Sequence, residues 1–217
     1  MIRRHPSPEV LSDHARGALP AGMMLVVSCH LHSCEVCRRE IAILESAGGA
    51  LLLAAAPVAL ADDALAKAFA RIDSGATRAL RPTKDLPEFL KRFPIPQPLQ
   101  DQDIGSQLWL TPSIWFAPLH FSAESQNRTY LVYAKDGTTL PEHTHRGREL
   151  TAVLCGSFHD SAGTFEQGDF EEADESLSHA PAVTAQSECL CVISADAPML
   201  LHGRLARMVQ AVTGNLY

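Results

Sequence analysis

Three side chains with metal-binding chemistry lie close together near the start of the chain: His30, Cys34 and Cys37. Residues four and seven positions apart share one face of an α-helix. Imidazole and thiolate are ligands that zinc prefers, and a closed structural zinc site adds a fourth ligand to these three. His5 and His14 are both candidates for it. The spacing predicts a zinc site, with two buried thiols beside an incidental histidine as the alternative.

A second group of metal-binding side chains lies in the C-terminal half. His143 and His145 are two residues apart and would face the same way on a strand, and Glu149 follows after a turn. Two imidazoles and a carboxylate can converge on one divalent cation, and a histidine from a distant strand can complete the site. His179 fits that role, so the pattern predicts a second metal site.

The remaining cysteines allow two interpretations. Cys189 and Cys191 are neighbours on one face of a predicted strand, at a side-chain spacing of roughly 6–7 Å that does not favour an easy disulfide. They are either core residues or oxidisable thiols near the second metal. Cys155 has no evident partner.

The elements that must position the first group are helices. Ser7, Pro8 and Glu9 are typical of a helix start, and Gly17 and Pro20 end this first helix. A second helix is predicted from about Gly22 to Ala47, where Gly48-Gly49 stops it. A third is predicted over Ala61–Ile72.

The second group requires strands. Three prolines within Phe93–Pro98 predict a linker or an extended edge. Beyond it, short segments rich in β-formers alternate with Gly and Asp turns, which is typical of a β-sandwich or barrel. The predicted strands are Leu108–Trp115, Thr129–Tyr133, Leu150–Leu154 and Leu190–Ile193.

Charge and hydropathy exclude some functions. The formal net charge is −7, and residues 96–217 hold 15 acidic and 6 basic side chains. A half with this excess of acidic side chains cannot neutralise the phosphates of a nucleic acid, and the first half has no stripe of basic residues. No direct nucleic-acid binding is therefore expected.

The apolar run Ala50–Ala61 is interrupted by Pro57 and is shorter than the roughly 20 residues of a membrane span. Met1–Pro8 lacks the apolar region of a signal peptide. A soluble, cytoplasmic protein without membrane contact is expected.

The helical half resembles a known family. The segments His5–Leu11, Gly17–Pro20, Leu25–Arg38 and Leu44–Leu52 resemble the zinc-binding anti-sigma domains of the ChrR family. The resemblance implies a helical bundle that blocks an extracytoplasmic-function sigma factor, and it implies that His5, His30, Cys34 and Cys37 bind the zinc.

The C-terminal half resembles the cupin-like domain of the same family. Gly137, His143, His145, Glu149 and Gly156 match the spacing of the first cupin motif. The segments Leu150–Asp160, Phe165–Phe170, His179–Pro181 and Cys189–Cys191 continue the resemblance. The usual second cupin motif is absent around Gln167, which weakens a catalytic interpretation. The resemblance implies that oxidative stress, such as singlet oxygen or peroxide, relieves the inhibition.

The predicted fold is therefore α+β, with an all-α N-terminal bundle that holds a structural zinc and an all-β cupin (jelly-roll) barrel. The predicted domains are residues 1–90 and 106–217, joined by a linker over 91–105. The cupin domain would bind zinc or another divalent cation through His143, His145, Glu149 and His179, and self-association of this domain remains open.

Two other functions compete with regulation. A metal-dependent cupin enzyme, a dioxygenase or isomerase with an accessory zinc domain, could use an open coordination position. It would also need a further acid or base in the barrel, which the motif segments do not offer. Zinc storage is disfavoured, because two dedicated sites on one scaffold are costly for buffering.

Overall fold

The computed structural model describes residues 1–74, 85–121 and 128–201. Its helices are α1 (Pro8–Ala15), α2 (Ala21–Ser33), α3 (Glu35–Ala54), α4 (Ala64–Asp73) and α5 (Gln97–Gln100), with a 3₁₀ turn at Glu88–Leu90. The strands are β1 (Asp103–Ile104), β2 (Leu108–Thr111), β3 (Ile114–His120), β4 (Arg128–Ala134), β5 (His143–His145), β6 (Glu149–Cys155), β7 (Ser157–Asp160), β8 (Gly163–Glu166), β9 (Phe170–Ala173), β10 (Ser178–His179), β11 (Ala182–Val183), β12 (Cys189–Ala195) and β13 (Met199–Leu201). The predicted α+β class, with helices first and a β-rich cupin region after them, is confirmed.

Helix α1 begins as its sequence predicts. The Ser7 hydroxyl accepts a hydrogen bond from the Val10 amide, and Pro8 occupies the first turn, where its missing N–H costs nothing. The helix ends at Ala15, and Gly17 follows with a φ of 67°, a conformation that glycine adopts without strain.

The predicted continuous helix from Gly22 to Ala47 is wrong. Cys34 is extended, with φ −100° and ψ 104°, and it divides the segment into α2 and α3. The predicted stop at Gly48-Gly49 is also wrong, because α3 runs through both glycines to Ala54. A glycine costs a helix only about 1 kcal/mol, whereas Pro57 restricts the residue before it and excludes the helix from that point.

The third predicted helix, Ala61–Ile72, is observed as α4, which begins three residues later at Ala64. The predicted strand Leu108–Trp115 is a hairpin of β2 and β3, in which Trp109 pairs with Trp115 across a turn at Pro112-Ser113. The strands predicted around Tyr133, Leu154 and Ile193 are observed as β4, β6 and β12, each longer by a few residues.

The strands form one large sheet and two small ones. The large sheet has the order β1-β3-β4-β12-β6-β9, with β2 added on β3, and the small sheets are β10-β5-β13 and β11-β7-β8. Gly156, with φ 73°, makes the turn between β6 and β7; a Cβ there would lie 1.6 Å from the Glu188 carbonyl oxygen. This turn therefore requires glycine.

The two faces of the large sheet belong to two different apolar cores. On β6, Leu150, Ala152 and Leu154 pack in one core with the helices, whereas Val153 packs in the other, inside the barrel. Alternate residues of a strand face opposite sides, and every residue of β6 from Glu149 to Leu154 is buried. The helical half thus packs on the outer face of the barrel and shares a core with it.

The contact between helix α2 and the sheet is close. A Cβ on Gly22 would lie 1.9 Å from Thr129 Oγ1 and 2.6 Å from Ser194 Oγ.

The segment predicted as a linker is also packed, since Phe93, Ile95 and Leu99 are buried in the core that includes the helices. The domain boundaries at 90 and 106 remain a prediction. Among the described residues, no helix has the length and apolar character to cross a membrane.

Candidate metal centres

The first centre lies where the N-terminal segment meets the break between α2 and α3. His5 precedes α1, His30 is in the last turn of α2, Cys34 is at the break, and Cys37 is in the first turn of α3. One donor atom from each of these residues lies within 4.8 Å of the others. The structure brings these ligands together through the kink at Cys34, and the stripe on one continuous helix that the spacing predicted is not observed.

The distances within the first centre suit a metal. His5 Nδ1 lies 3.3 Å from Cys34 Sγ and 3.4 Å from Cys37 Sγ, and His30 Nε2 lies 3.3 Å from Cys37 Sγ. His14 is not in this group, because its Nε2 lies 3.2 Å from the Ser28 hydroxyl. We call His5, His30, Cys34 and Cys37 the helical site. Two thiols and two imidazoles form a donor set that fits zinc.

The charge and the orientation of the His30 ring both suit cation binding. Burial lowers its pKa to about 4, although the hydrogen bond to the Gly168 carbonyl and the charge of Asp169 act in the opposite direction. The ring is therefore neutral near pH 7. Nδ1–H donates to Gly168 O at 2.8 Å, which leaves the Nε2 lone pair directed at the cysteines. A partner on the second ring nitrogen is typical of metal-bound histidines.

Burial, together with the hydrogen bond with Cys34, raises the pKa of the Cys37 thiol to about 12. A cation at the helical site must therefore displace a proton from Cys37. The helix N-terminus at Glu35 favours the resulting negative charge, because its free N–H groups carry partial positive charge.

The second centre lies inside the barrel. His143 and His145 are on β5, and His179 is on β10, which pairs with β5 so that His179 lies opposite His143. His179 Nε2 lies 3.0 Å from His143 Nε2 and 3.2 Å from His145 Nε2. The structure therefore brings the three predicted histidines together, and we call them, with Glu149, the barrel site.

Glu149 lies beside this cluster rather than within it. Its Oε2 is 3.6 Å from His145 Nδ1, and this buried oxygen has no hydrogen-bond partner in the structure. Burial, together with the charge of Glu171, raises the Glu149 pKa to about 8. A buried carboxylate oxygen without a partner is costly, so this observation fits a cation held between Glu149 and the histidines.

The histidine tautomers suit a common ligand. His143 Nδ1 donates to the Pro141 carbonyl at 2.8 Å, and His179 Nδ1 donates to Asp160 Oδ2 at 2.6 Å. Burial lowers the pKa of His145 to about 4, with the charges of His143 and His179 adding to the effect. Each Nε2 can then face a shared cation.

The sequence did not identify two acids behind His179. Burial opposes charge on this ring, but the hydrogen bonds and charges of Glu171 and Asp160 outweigh it and raise the His179 pKa to about 9. Both acids therefore stabilise positive charge at the ring, so a cation bound at His179 Nε2 must first displace a proton from it. Single carboxylates on β7 and β9 have no characteristic spacing, and only their burial in the fold identifies them.

Cys189 and Cys191 lie inside the barrel with their sulfur atoms 3.6 Å apart, much closer than the roughly 6–7 Å expected for alternate strand residues. The register of β12 against β6 shifts between Leu190 and Cys191, and this irregularity accompanies the close approach. The hydrogen bond with Cys189 and burial raise the Cys191 pKa, and the charges of Glu171 and Glu149 raise it further. These charges place Cys191 near the barrel site.

Comparisons with known proteins agree with this architecture. Residues 103–197 match the model of the ChrR cupin-like domain. The chain is 35% identical over 215 residues to the anti-sigma-E factor ChrR of Cereibacter sphaeroides, which covers 96% of this chain and 97% of the relative. It is also similar to a chain in the crystal structure of Rhodobacter sphaeroides SigE in complex with the anti-sigma ChrR. That match has a TM-score of 0.74 and 33% identity, and it covers 90% of this chain and 100% of that chain.

The chain combines a helical unit that has a His/Cys cluster with a cupin-like barrel that has a histidine cluster, and each cluster could hold a metal ion. The chain belongs to the ChrR family of anti-sigma factors.

Proposed function

We propose that this protein binds an extracytoplasmic-function sigma factor in the cytoplasm through its helical half and releases it when the barrel receives an oxidative signal. The observation that carries the proposal is an uncovered apolar surface on α3 and α4 in a member of an anti-sigma family. Family membership favours this function over a metal-dependent cupin enzyme.

This surface has the composition of a protein interface. Its large apolar side chains are more than half exposed, and they lie on α3, on α4 and between the two helices. They are Ile43, Leu51, Leu52, Leu53, Val58, Leu60, Leu65, Phe69 and Ile72, which we call the α3–α4 surface. Nine large apolar side chains exposed within residues 43–72 are typical of an interaction site.

Helix α4 in particular needs a partner. It has ten residues, and none of them is buried. An isolated helix of this length is marginal in water, because its stability comes mainly from burial of an apolar face. In the related complex, ChrR binds SigE, and a sigma factor of the same class is the partner that we propose for this chain.

The helical site would hold zinc through His5, His30, Cys34 and Cys37, and the zinc would stabilise the arrangement of α1, α2 and α3. The barrel site would hold zinc or another divalent cation through His143, His145, Glu149 and His179. Cys189 and Cys191 lie close to each other near this site. Their oxidation, or loss of the metal, would supply the signal, which must change the relative stability of two states by a few kcal/mol.

A co-purification experiment tests the partner. The chain is co-expressed with the extracytoplasmic-function sigma factors of its source genome, one at a time, and we expect a stable 1:1 complex with one of them. Phe69→Glu on α4 should weaken this complex at least tenfold, because it places a charge in the interface. Leu110→Glu, on the exposed strand β2, is the matched control and should have no effect. If no sigma factor co-purifies, the proposed function is wrong; if both variants bind like the parent, the α3–α4 surface is not the interface.

A further inference from the structure

The turn before β9 holds the ligands of the helical site. The Gly168 carbonyl accepts the Nδ1–H of His30 at 2.8 Å. Asp169 Oδ1 accepts the amides of Arg3 and Arg4 at 2.7 and 3.1 Å, immediately before the ligand His5. Both side-chain oxygens of Asp169 are used, since Oδ2 accepts the Glu166 amide at 2.9 Å. Two of the four ligands of the helical site therefore depend on this turn for their positions.

The strand that follows contacts both sites. The Phe170 amide donates to the Arg4 carbonyl at 3.1 Å, and the Phe170 ring lies edge-on to His30 with 5.5 Å between centroids. The next residue, Glu171, faces into the barrel, where its Oε1 lies 3.6 Å from His179 Nδ1. Glu172 faces outward again and accepts the amide of Ser7, two residues after His5.

Alternation along the strand explains this double contact. Neighbouring strand residues point to opposite faces, so Phe170 and Glu172 meet the helical half while Glu171 meets the barrel site. Residues this close together in one strand cannot move independently of one another. A displacement of Glu171 therefore displaces the carbonyl of Gly168 and the carboxylate of Asp169.

We propose that the segment Gly168–Glu172, which we call the coupling segment, links the helical and barrel sites, so that a metal bound at one site tightens metal binding at the other. The inference rests on the proposal that both sites hold a metal. Asp169 and Glu171 are positioning residues in this scheme: Asp169 fixes the approach of His5 and the turn that holds His30, and Glu171 connects the strand to His179.

The expected size of the coupling follows from known outer-shell effects. Loss of the partner on the second nitrogen of a metal-bound histidine reduces metal affinity by about 10- to 100-fold. Coupling between distinct sites is typically about 5- to 150-fold, and by thermodynamic necessity it is equal in both directions. We expect a factor of about ten here, because the coupling segment shifts His30 and His5 without removing their partners.

Cobalt separates the two sites spectroscopically. Of the two proposed ligand sets, only that of the helical site includes thiols, so its thiolate-to-cobalt absorption reports binding there even when the barrel site is loaded. The full chain is titrated with Co²⁺ against a competing chelator, and the metal content of each variant is measured by mass spectrometry. His143→Ala, which removes a barrel ligand outside the coupling segment, should weaken cobalt binding at the helical site about tenfold.

A double-mutant cycle distinguishes coupling from general damage. In a Glu171→Leu background, His143→Ala should change cobalt affinity at the helical site less than twofold, because the connection is already absent. Glu175→Ala, an exposed acid after β9, is the matched control and should leave the tenfold effect intact. The reciprocal measurement uses Cys37→Ala, which should weaken metal binding at the barrel site by the same factor and does not require a folded His143→Ala variant.

Two outcomes overturn the inference in different ways. If the parent chain holds two metals but His143→Ala and Cys37→Ala leave the opposite site unchanged, the coupling is wrong and the proposed function stands. If the parent chain holds no metal at either site, the metal-dependent part of the proposed function fails together with the coupling.

Discussion

At the scale of single residues, the helical site depends on the kink at Cys34. Its extended backbone turns the chain between α2 and α3, so that Cys37 returns towards His30 and both thiols face His5. A residue that favours continuous helix at this position would separate the ligands. The predicted zinc site therefore requires a conformation that the four- and seven-residue spacing does not indicate.

The first prediction concerns this site. Cys34→Ala or Cys37→Ala should each lose about one zinc per chain and reduce the helical content of residues 1–74, because zinc binding and folding of such a small unit are coupled. Metal analysis and far-ultraviolet circular dichroism measure the two effects. His14→Ala is the matched control, since His14 contacts Ser28 rather than the ligands. Full zinc content with parental helicity in both cysteine variants would contradict the assignment.

The second prediction concerns the barrel site. We expect a sigma-dependent reporter still to be repressed without stress in the variants His143→Ala, Glu149→Ala and His179→Ala. These residues lie inside the barrel, away from the α3–α4 surface that would bind the sigma factor. The variants should fail to respond to singlet oxygen or organic peroxide. Cys189→Ser/Cys191→Ser tests the thiols separately, and His159→Ala, an exposed histidine on β7, is the control. If every variant responds like the parent, the barrel metal is structural and sensing lies elsewhere.

At the scale of elements, the third prediction concerns the contact of α2 with the sheet. Gly22→Ala should destabilise the protein by about 1–3 kcal/mol, since a Cβ would overlap the hydroxyls of Thr129 and Ser194. Calorimetry should show a melting temperature lower by roughly 2–12 °C, given about 2–4 °C per kcal/mol for a chain of this size.

Gly48→Ala is the matched control for Gly22→Ala. Gly48 also lies in a helix, but no atom lies within 4 Å of the position of its Cβ. Alanine there should raise stability by up to about 1 kcal/mol, because it favours helix more than glycine does. Equal effects of the two variants would show that α2 does not pack on the sheet as described.

The sequence predicted elements with local signals and missed those that depend on tertiary contact. Ser7 and Pro8 located α1, and turn residues around alternating β-formers located β4 and β12. The break at Cys34 was missed because nothing local forbids helix there, and α3 passes Gly48-Gly49 because propensity alone does not end a helix. Docking of α2 had one available signal: the run from Leu150 to Leu154 is apolar on both faces, which is typical of a strand covered on both sides.

The site residues divide in the same way. His30, Cys34, Cys37, His143 and His145 follow recognisable spacings, and resemblance to the family favoured His5 over His14. Asp160 and Glu171 were not predicted, because a buried acid behind a ligand is defined by the fold and not by a local pattern. The same holds for Gly168, which acts through a backbone carbonyl that every residue type possesses.

At the scale of the whole molecule, the fourth prediction concerns a fragment of residues 1–90. It should still bind the sigma factor, because it contains the α3–α4 surface. It should be less stable than the full chain, because the side chains of α2 lose their cover; each large apolar side chain that becomes exposed costs about 1.5–3 kcal/mol. Binding assays and thermal melts measure the two properties. A folded, zinc-loaded fragment that does not bind would mean that the barrel takes part in recognition.

The hydrogen bond between His30 and Gly168 has a consequence for synthesis of the protein on the ribosome. The two residues are 138 positions apart, so at about 5–20 residues per second the histidine leaves the ribosome roughly 7 to 28 s before its partner. During that interval the nascent helices have neither the barrel wall against α2 nor the carbonyl that orients His30. A sigma factor present at that time meets an inhibitor whose binding helices are already made and whose sensor is not, so capture of the sigma factor can precede any ability to release it.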